Sequence, residues 1–287
     1  METVTPSRII AIVVYLLFGS GLGACSAAKF DISNSKVEGL VGQDGTPVVC
    51  DPFDPSNVVS PLSGLKGTIH SWPVASKSKP NSSLDLIRLG YRIDADLFLN
   101  KVDVPTRMFD TGFTSADGKA LVNEDDELLT EWFALELKSR LKLASDEPEG
   151  LYQLAVLSDD GSTLFLTEQA QESTLISNEG AHQTKLGCAS KSIAMTKDLR
   201  LPMRLTYFEG PRYHIALTLM WRKVDGTSGS LAEKECRAEG NEYFFKPATN
   251  SAVAVAKAPY LGMLERGWRP LKAENFELSS GHNLCSK

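Results

Sequence analysis

Leu151-Tyr152-Gln153-Leu154-Ala155-Val156-Leu157-Ser158-Asp159-Asp160-Gly161-Ser162-Thr163-Leu164-Phe165-Leu166 sets two apolar runs on either side of four residues suited to neither a strand nor a core. The spacing predicts strand, turn, strand, paired as a hairpin. Ser158, Asp159 and Asp160 carry short side chains that bond their own backbone, and Gly161 tolerates positive φ, which is the chemistry of a tight turn. Two carboxylates then stand side by side at the tip. Like charges repel, so the pair is comfortable only in open water or with a cation between its members. The first case makes Ser158 to Gly161 a solvated type I turn, and the second makes it a metal site.

The flanking chain carries the same period of two. Phe133, Leu135, Leu137, Leu141 and Leu143 fall on one side of a segment whose other side holds Glu136, Lys138, Arg140 and Lys142. Met203, Leu205 and Tyr207 alternate with Arg204 and Thr206; Tyr213, Ile215, Leu217, Leu219 and Trp221 alternate with His214, Ala216, Thr218 and Arg222. No comparable helical stripe is present. An opening strand is expected over Gly64 to Trp72, followed by a polar loop from Ser76 to Ser83. The expected fold class is all-β: an antiparallel two-sheet β-sandwich, barrel-like, with a small disulfide-pinned C-terminal extension.

At 287 residues, 42% of them apolar, the chain can fill such a core. Its 36 acidic and 30 basic residues are interspersed, for a net charge of −6, and no basic stripe invites nucleic acid. The first residues read as an export signal. Arg8 precedes the apolar run Ile9 to Phe18, too short to cross a bilayer comfortably, and the run leads to Leu22-Gly23-Ala24-Cys25. Small residues before a cysteine there resemble the lipobox of bacterial lipoproteins, in which Cys25 would carry a diacylglycerol and palmitate-type acyl chains. An ordinary secretory peptide with an incidental cysteine is the alternative. In the lipoprotein reading the polypeptide is held to a membrane by its lipid, and Ser26 after the cysteine favours the outer membrane of a bacterial cell envelope.

With Cys25 set aside, Cys50, Cys188, Cys236 and Cys285 remain, an even number that fits two disulfides in an oxidising compartment. Three pairings are open. A weak preference goes to Cys50 with Cys285, clamping the two ends of the mature chain, and Cys188 with Cys236. The absence of any CxxC spacing argues against zinc. By composition residues 1–24 form the leader, 25–63 a lipidated polar linker or stalk, 64–223 the sandwich and 224–287 the extension.

Glu149-Gly150-Leu151-Tyr152 and Ser158-Asp159-Asp160-Gly161-Ser162 together resemble the signature of the domain family first named from the anthrax protective antigen, the PA-fourteen family. Glu131-Trp132-Phe133 upstream agrees in order, as do Ser177-Asn178-Glu179-Gly180-Ala181-His182, Leu201 to Gly210 and a last strand ending in Trp221; the likeness spans Gly64 to Lys223. It implies a β-sandwich used mainly for recognition. In lectin-like members the paired aspartates join through a cis peptide bond and bind Ca²⁺, which in turn binds vicinal sugar hydroxyls. Carried over, Asp159 and Asp160 are the metal ligands. A hard cation takes six to eight oxygens, so Asn178, Glu179 and Asp225 are the residues expected to help complete the shell. The chain departs from the pattern at Leu166-Thr167-Glu168-Gln169, where many relatives have Asp-Gly, and at Asn178-Glu179-Gly180, where the usual middle residue is aspartate.

Signatures of enzymes are missing. His70, His182, His214 and His282 form no HExxH, and there is no GxSxG elbow or phosphate loop. Asp94, Asp96 and the run Glu124 to Glu127 read as solvated loop acids, His182 and His214 as turn and strand-face residues, and Trp132, Trp221 and Trp268 as core or inter-element anchors. The expectation is a non-enzymatic envelope lipoprotein acting as a binding or adhesion module, calcium-dependent toward carbohydrate or envelope glycan. The alternative is a metal-independent structural or protein-protein component of the envelope.

Overall fold

Alternation of apolar and polar residues is realised as two packed sheets in the computed structural model, which describes residues 42, 45–54, 60–247 and 254–285. The leader and Cys25 lie outside the described residues. The first sheet has nine strands. Its path runs β1 (Val48–Cys50), β4 (Asp96–Leu99), β2 (Leu65–Ser71), β6 (Phe133–Leu141), β12 (Leu201–Glu209), β8 (Ser162–Glu168) and β9 (Gln171–Asn178), with β3 (Tyr91–Arg92) on β2 and β17 (Phe276–Glu277) on β6. The second has six: β10 (Lys185–Cys188), β7 (Gly150–Asp159), β13 (His214–Val224) and β16 (Arg269–Pro270), with β11 (Ile193–Met195) on β7 and β5 (Asp103–Met108) on β13. Pairing is antiparallel apart from β1 on β4. A short ribbon of β14 (Phe245–Lys246) and β15 (Val255–Ala256) stands apart.

Leu135, Leu137, Leu205 and Tyr207 from the first sheet meet Leu154, Val156, Leu217 and Leu219 from the second in one core. The second sheet is buried on its other face too. Ala155, Leu157 and Met220 point outward there, under Phe244, Tyr260, Met263 and Trp268 of the C-terminal part. An eight-residue helix, α2 (Ala258–Glu265), supplies Tyr260 and Met263 to this cover. Burial on both faces explains why β7 reads as a nearly continuous apolar run.

Several expectations are corrected. The strands on either side of Asp159-Asp160 do not pair as a hairpin: β7 belongs to the second sheet and β8 to the first, so the tip is a crossing between sheets. Two faces are buried on β7, and a partner on each edge, β10 and β13, leaves no room for β8 beside it. The stretch read as linker, residues 25–63, is structured in its described part. Val48 and Val49 are fully buried in β1, and Asp51 accepts N–H bonds from Phe53, Asp54 and Asn100. The boundary at 223/224 is not a structural one, because β16 and β17 from the extension join the two sheets. The polar loop ends on a buried residue, Ser83, which opens a helix: α1 (Ser83–Leu89) seats Leu86 against Ala134 and Phe208. Both disulfides follow the preferred pairing, Cys50 with Cys285 and Cys188 with Cys236.

Candidate functional site

Asp159 is the last residue of β7 and Ser162 the first of β8, so the two acids are carried on the step from one sheet to the other. A cis peptide bond joins Asp159 to Asp160. Side chains from both sheets hold the step. The hydroxyls of Ser158 and Ser162 are 2.9 Å apart, and Asn178 Nδ2 donates to Ser158 Oγ at 3.0 Å and to the Lys185 carbonyl at 3.1 Å. Tyr207 Oη donates to the Asp159 carbonyl, and the Phe208 N–H to the Gly161 carbonyl at 2.9 Å. Gly161 is needed for room: a Cβ there would sit 2.3 Å from Phe208 Cε1 and 2.9 Å from Glu179 Oε2.

Asp159 and Asp160 are each only 5% exposed, which removes the solvated-turn alternative. Their partners are neutral donors. Thr184 Oγ1 donates to Asp159 Oδ2 at 3.1 Å; the N–H groups of His182 and Gly210 donate to Asp160 Oδ1 and Oδ2, each at 2.7 Å. Among the described residues neither carboxylate is paired with a lysine or arginine. Burial, and then the neighbouring Asp160 charge, push the Asp159 carboxyl up to about 8. Burial also raises Asp160, against the two N–H bonds that favour its charge. Behind them lies Glu209, 1% exposed, whose carboxyl is raised well above its ordinary range by burial and then by the charges of Asp159 and Asp160.

Two buried carboxylates without a cationic side chain ask for a proton or a cation. The donors are all oxygen, which suits a hard divalent ion in kind. In number they fall short. Among the described residues no group of three or more His, Cys, Asp or Glu side chains is arranged to hold a metal. Backbone carbonyls, water or a ligand's own hydroxyls would have to supply the rest of the shell.

The expected helpers are placed elsewhere. Asn178 Nδ2 donates to Ser158 and to the Lys185 carbonyl, so the amide braces the step beside Asp159. Glu179 accepts from Ser83 N at 2.8 Å, Ser83 Oγ at 2.5 Å and Thr163 Oγ1 at 2.6 Å, which commits it to joining α1 to β8. Asp225 follows Val224, which pairs with Leu151 at the start of β7, whereas Ala216 pairs with Asp159 at its end. At ~3.3 Å per residue, Asp225 is therefore at the far end of the sandwich, where it accepts from Thr227.

In front of the acids is an open hollow of about 290 Å³, walled by Ala181 to Gln183, Pro211 to His214 and Asn241. Tyr213 is 60% exposed on its rim, and Arg212 is fixed to Glu131 at 2.6 Å. His182, in the connection between β9 and β10, and His214, the first residue of β13, both line this hollow. Trp221 and Trp268 are buried anchors as expected, and Trp132 has Lys79 over its ring at 4.5 Å. The sequence reading missed Thr184, Tyr207, Glu209, Tyr213 and Asn241 as site residues. The piece Leu201 to Gly210 contains two of them, but only the closing of the two sheets brings Tyr207 and Glu209 under Asp159.

No family model matches the chain, and neither does any curated protein. Solved structures similar to it include a PA14 sugar-binding domain from an RTX adhesin, at 18% identity and a TM-score of 0.40 over 56% of this chain and 90% of that one. The PA14 domain of the MpAFP antifreeze protein is 14% identical, with a TM-score of 0.42 over 66% and 97% of the two chains. The epithelial adhesin 6 A domain of Candida glabrata, solved with Galβ1-3GlcNAc, is 14% identical, with a TM-score of 0.40 over 67% and 97%.

Proposed function

We propose that this chain is a binding module of the adhesion type, which recognises carbohydrate hydroxyls through a calcium ion held by Asp159 and Asp160. The observation that carries the reading is the pair itself: two buried carboxylates, neither paired with a lysine or arginine among the described residues, lining an open hollow. A bound Ca²⁺ would neutralise the pair and offer open coordination positions to vicinal hydroxyls. The protein's own contribution is to hold the acids ready. Thr184, His182 and Gly210 fix their oxygens, and Tyr213 offers an exposed aromatic face to the apolar side of a sugar ring. In the same reading Cys25 carries the lipid, which tethers the module to the bacterial envelope at the outer membrane.

Calcium titration of the mature chain, followed by a glycan array with calcium and again with chelator, tests this. Calcium should raise the melting temperature of the wild type and not of Asp160→Asn, and glycan binding should vanish with chelator. A melting temperature indifferent to calcium overturns the metal site, and an array silent in both conditions favours the structural or protein-protein role.

A further inference from the structure

The chain beyond β13 does more than cover the second sheet. Residues 236–241 run alongside β10: Arg237 N donates to Leu186 O at 2.8 Å, Leu186 N to Ala238 O at 3.1 Å and Gly240 N to Thr184 O at 2.9 Å. Gly240, at φ +146°, then turns the chain so that Asn241 reaches the hollow. Asn241 Oδ1 accepts the Thr184 N–H at 2.9 Å, and Asn241 Nδ2 lies 3.0 Å from His214 Nδ1. Thr184 is the residue whose hydroxyl holds Asp159. At the other end of this ladder Cys236 is bonded to Cys188 of β10.

We infer that Asn241 is a positioning residue of the cation site, supplied from outside the strands that carry the aspartates, and that the Cys188–Cys236 bond sets the register in which it meets Thr184. The inference rests on the calcium reading proposed above. Its physical basis is that Asp159 is paired with no lysine or arginine among the described residues and that its carboxylate is held by the Thr184 hydroxyl. The Thr184 backbone is held on both sides by the extension: its N–H by Asn241 and its carbonyl by Gly240. Partners one layer behind a metal ligand typically change metal affinity by about 10- to 100-fold.

The test is calorimetric titration of the full mature chain with CaCl₂, alongside calcium-free melting curves. Asn241→Leu removes the acceptor for the Thr184 N–H and should weaken calcium binding about tenfold or more. Asn241→Asp keeps that acceptor and adds a negative charge beside the site, so it should bind calcium at least as tightly as the wild type. A purely structural role would lower both calcium-free melting temperatures and leave both affinities alone. That pattern, or any other than weakening by leucine with retention by aspartate, overturns the inference. Where Asn241→Leu does not fold, the double variant Cys188→Ser/Cys236→Ser decides: calcium affinity lost in a folded chain supports the inference, and affinity retained overturns it. Absence of calcium binding by the wild type removes the calcium reading and this inference with it, whereas wild-type binding with unchanged affinity in Asn241→Leu removes the inference alone.

Discussion

The hydroxyl of Tyr207, on β12 of the first sheet, donates to the backbone carbonyl of Asp159, at the end of β7 in the second. The same hydroxyl lies 2.5 Å from Glu209 Oε2. A phenol has one proton and two acceptors here, so the arrangement closes only if Glu209 is protonated and donates to the phenol oxygen. The burial and the two nearby aspartate charges that raise the Glu209 carboxyl favour that form. A carboxyl–phenol–carbonyl chain thus links the sheets directly beneath the paired acids.

Tyr207→Phe leaves the Asp159 carbonyl and Glu209 without their shared partner, and should cost about 1–3 kcal/mol. Urea unfolding measures it. Glu209→Gln keeps a donor toward the phenol and should cost less than Glu209→Ala; equal costs for the two would show that the chain of bonds is not what stabilises the crossing.

Without calcium, stability should fall as pH rises from about 4 to about 8. The sign follows from Asp159, whose carboxyl is near 3.8 when exposed and about 8 in the fold. Over that window the unfolded chain gives up the proton while the folded chain keeps it, so unfolding gains. Melting curves in chelator should show the decline, saturating calcium should reduce it at the alkaline end, and Asp159→Asn should flatten it. A variant as steep as the wild type would assign the slope to other acids.

Gly161→Ala forces a methyl to within 2.3 Å of the Phe208 ring. Phe208 is fully buried and packed against Leu86 and Ala134, so it has little room to yield. A loss of about 1–3 kcal/mol is expected in chemical denaturation. Stability equal to the wild type would mean that the close approach relaxes freely.

Glu233 holds the extension to the second sheet. Its carboxylate, fully buried, meets Arg266 at 2.5 Å, Trp268 Nε1 at 2.8 Å and Arg222 at 3.5 Å. Arg222 is nearly buried as well, so Glu233→Ala leaves an uncompensated charge and should cost about 3–5 kcal/mol. Unfolding monitored by tryptophan fluorescence reads it. Replacement at no cost would show that the apolar cover of Trp268 and Met263 is sufficient alone.

What the amino-acid sequence determined by itself is the strand content and the faces. Alternation over Phe133 to Leu143 and Tyr213 to Trp221 depends only on the period of an extended chain, so β6 and β13 were legible without a partner. The adjacent acids at 159 and 160 were equally legible, because a doubled charge between two apolar runs has few comfortable settings. Which strands pair was not. β7 and β8 look like a hairpin locally and lie in different sheets, because pairing is decided by edges: β10 and the distant β13 flank β7, while β8 takes the distant β12 on one side and its own sequence neighbour β9 on the other. The same long-range closure took Glu179 and Asp225 out of the expected shell and brought in Thr184 and Asn241, residues with no local signature, and Tyr207, whose alternation marked it only as a strand residue. Short polar side chains are common everywhere in a sequence; only tertiary contact, by excluding water from around Asp159 and Asp160, makes the few that touch them matter.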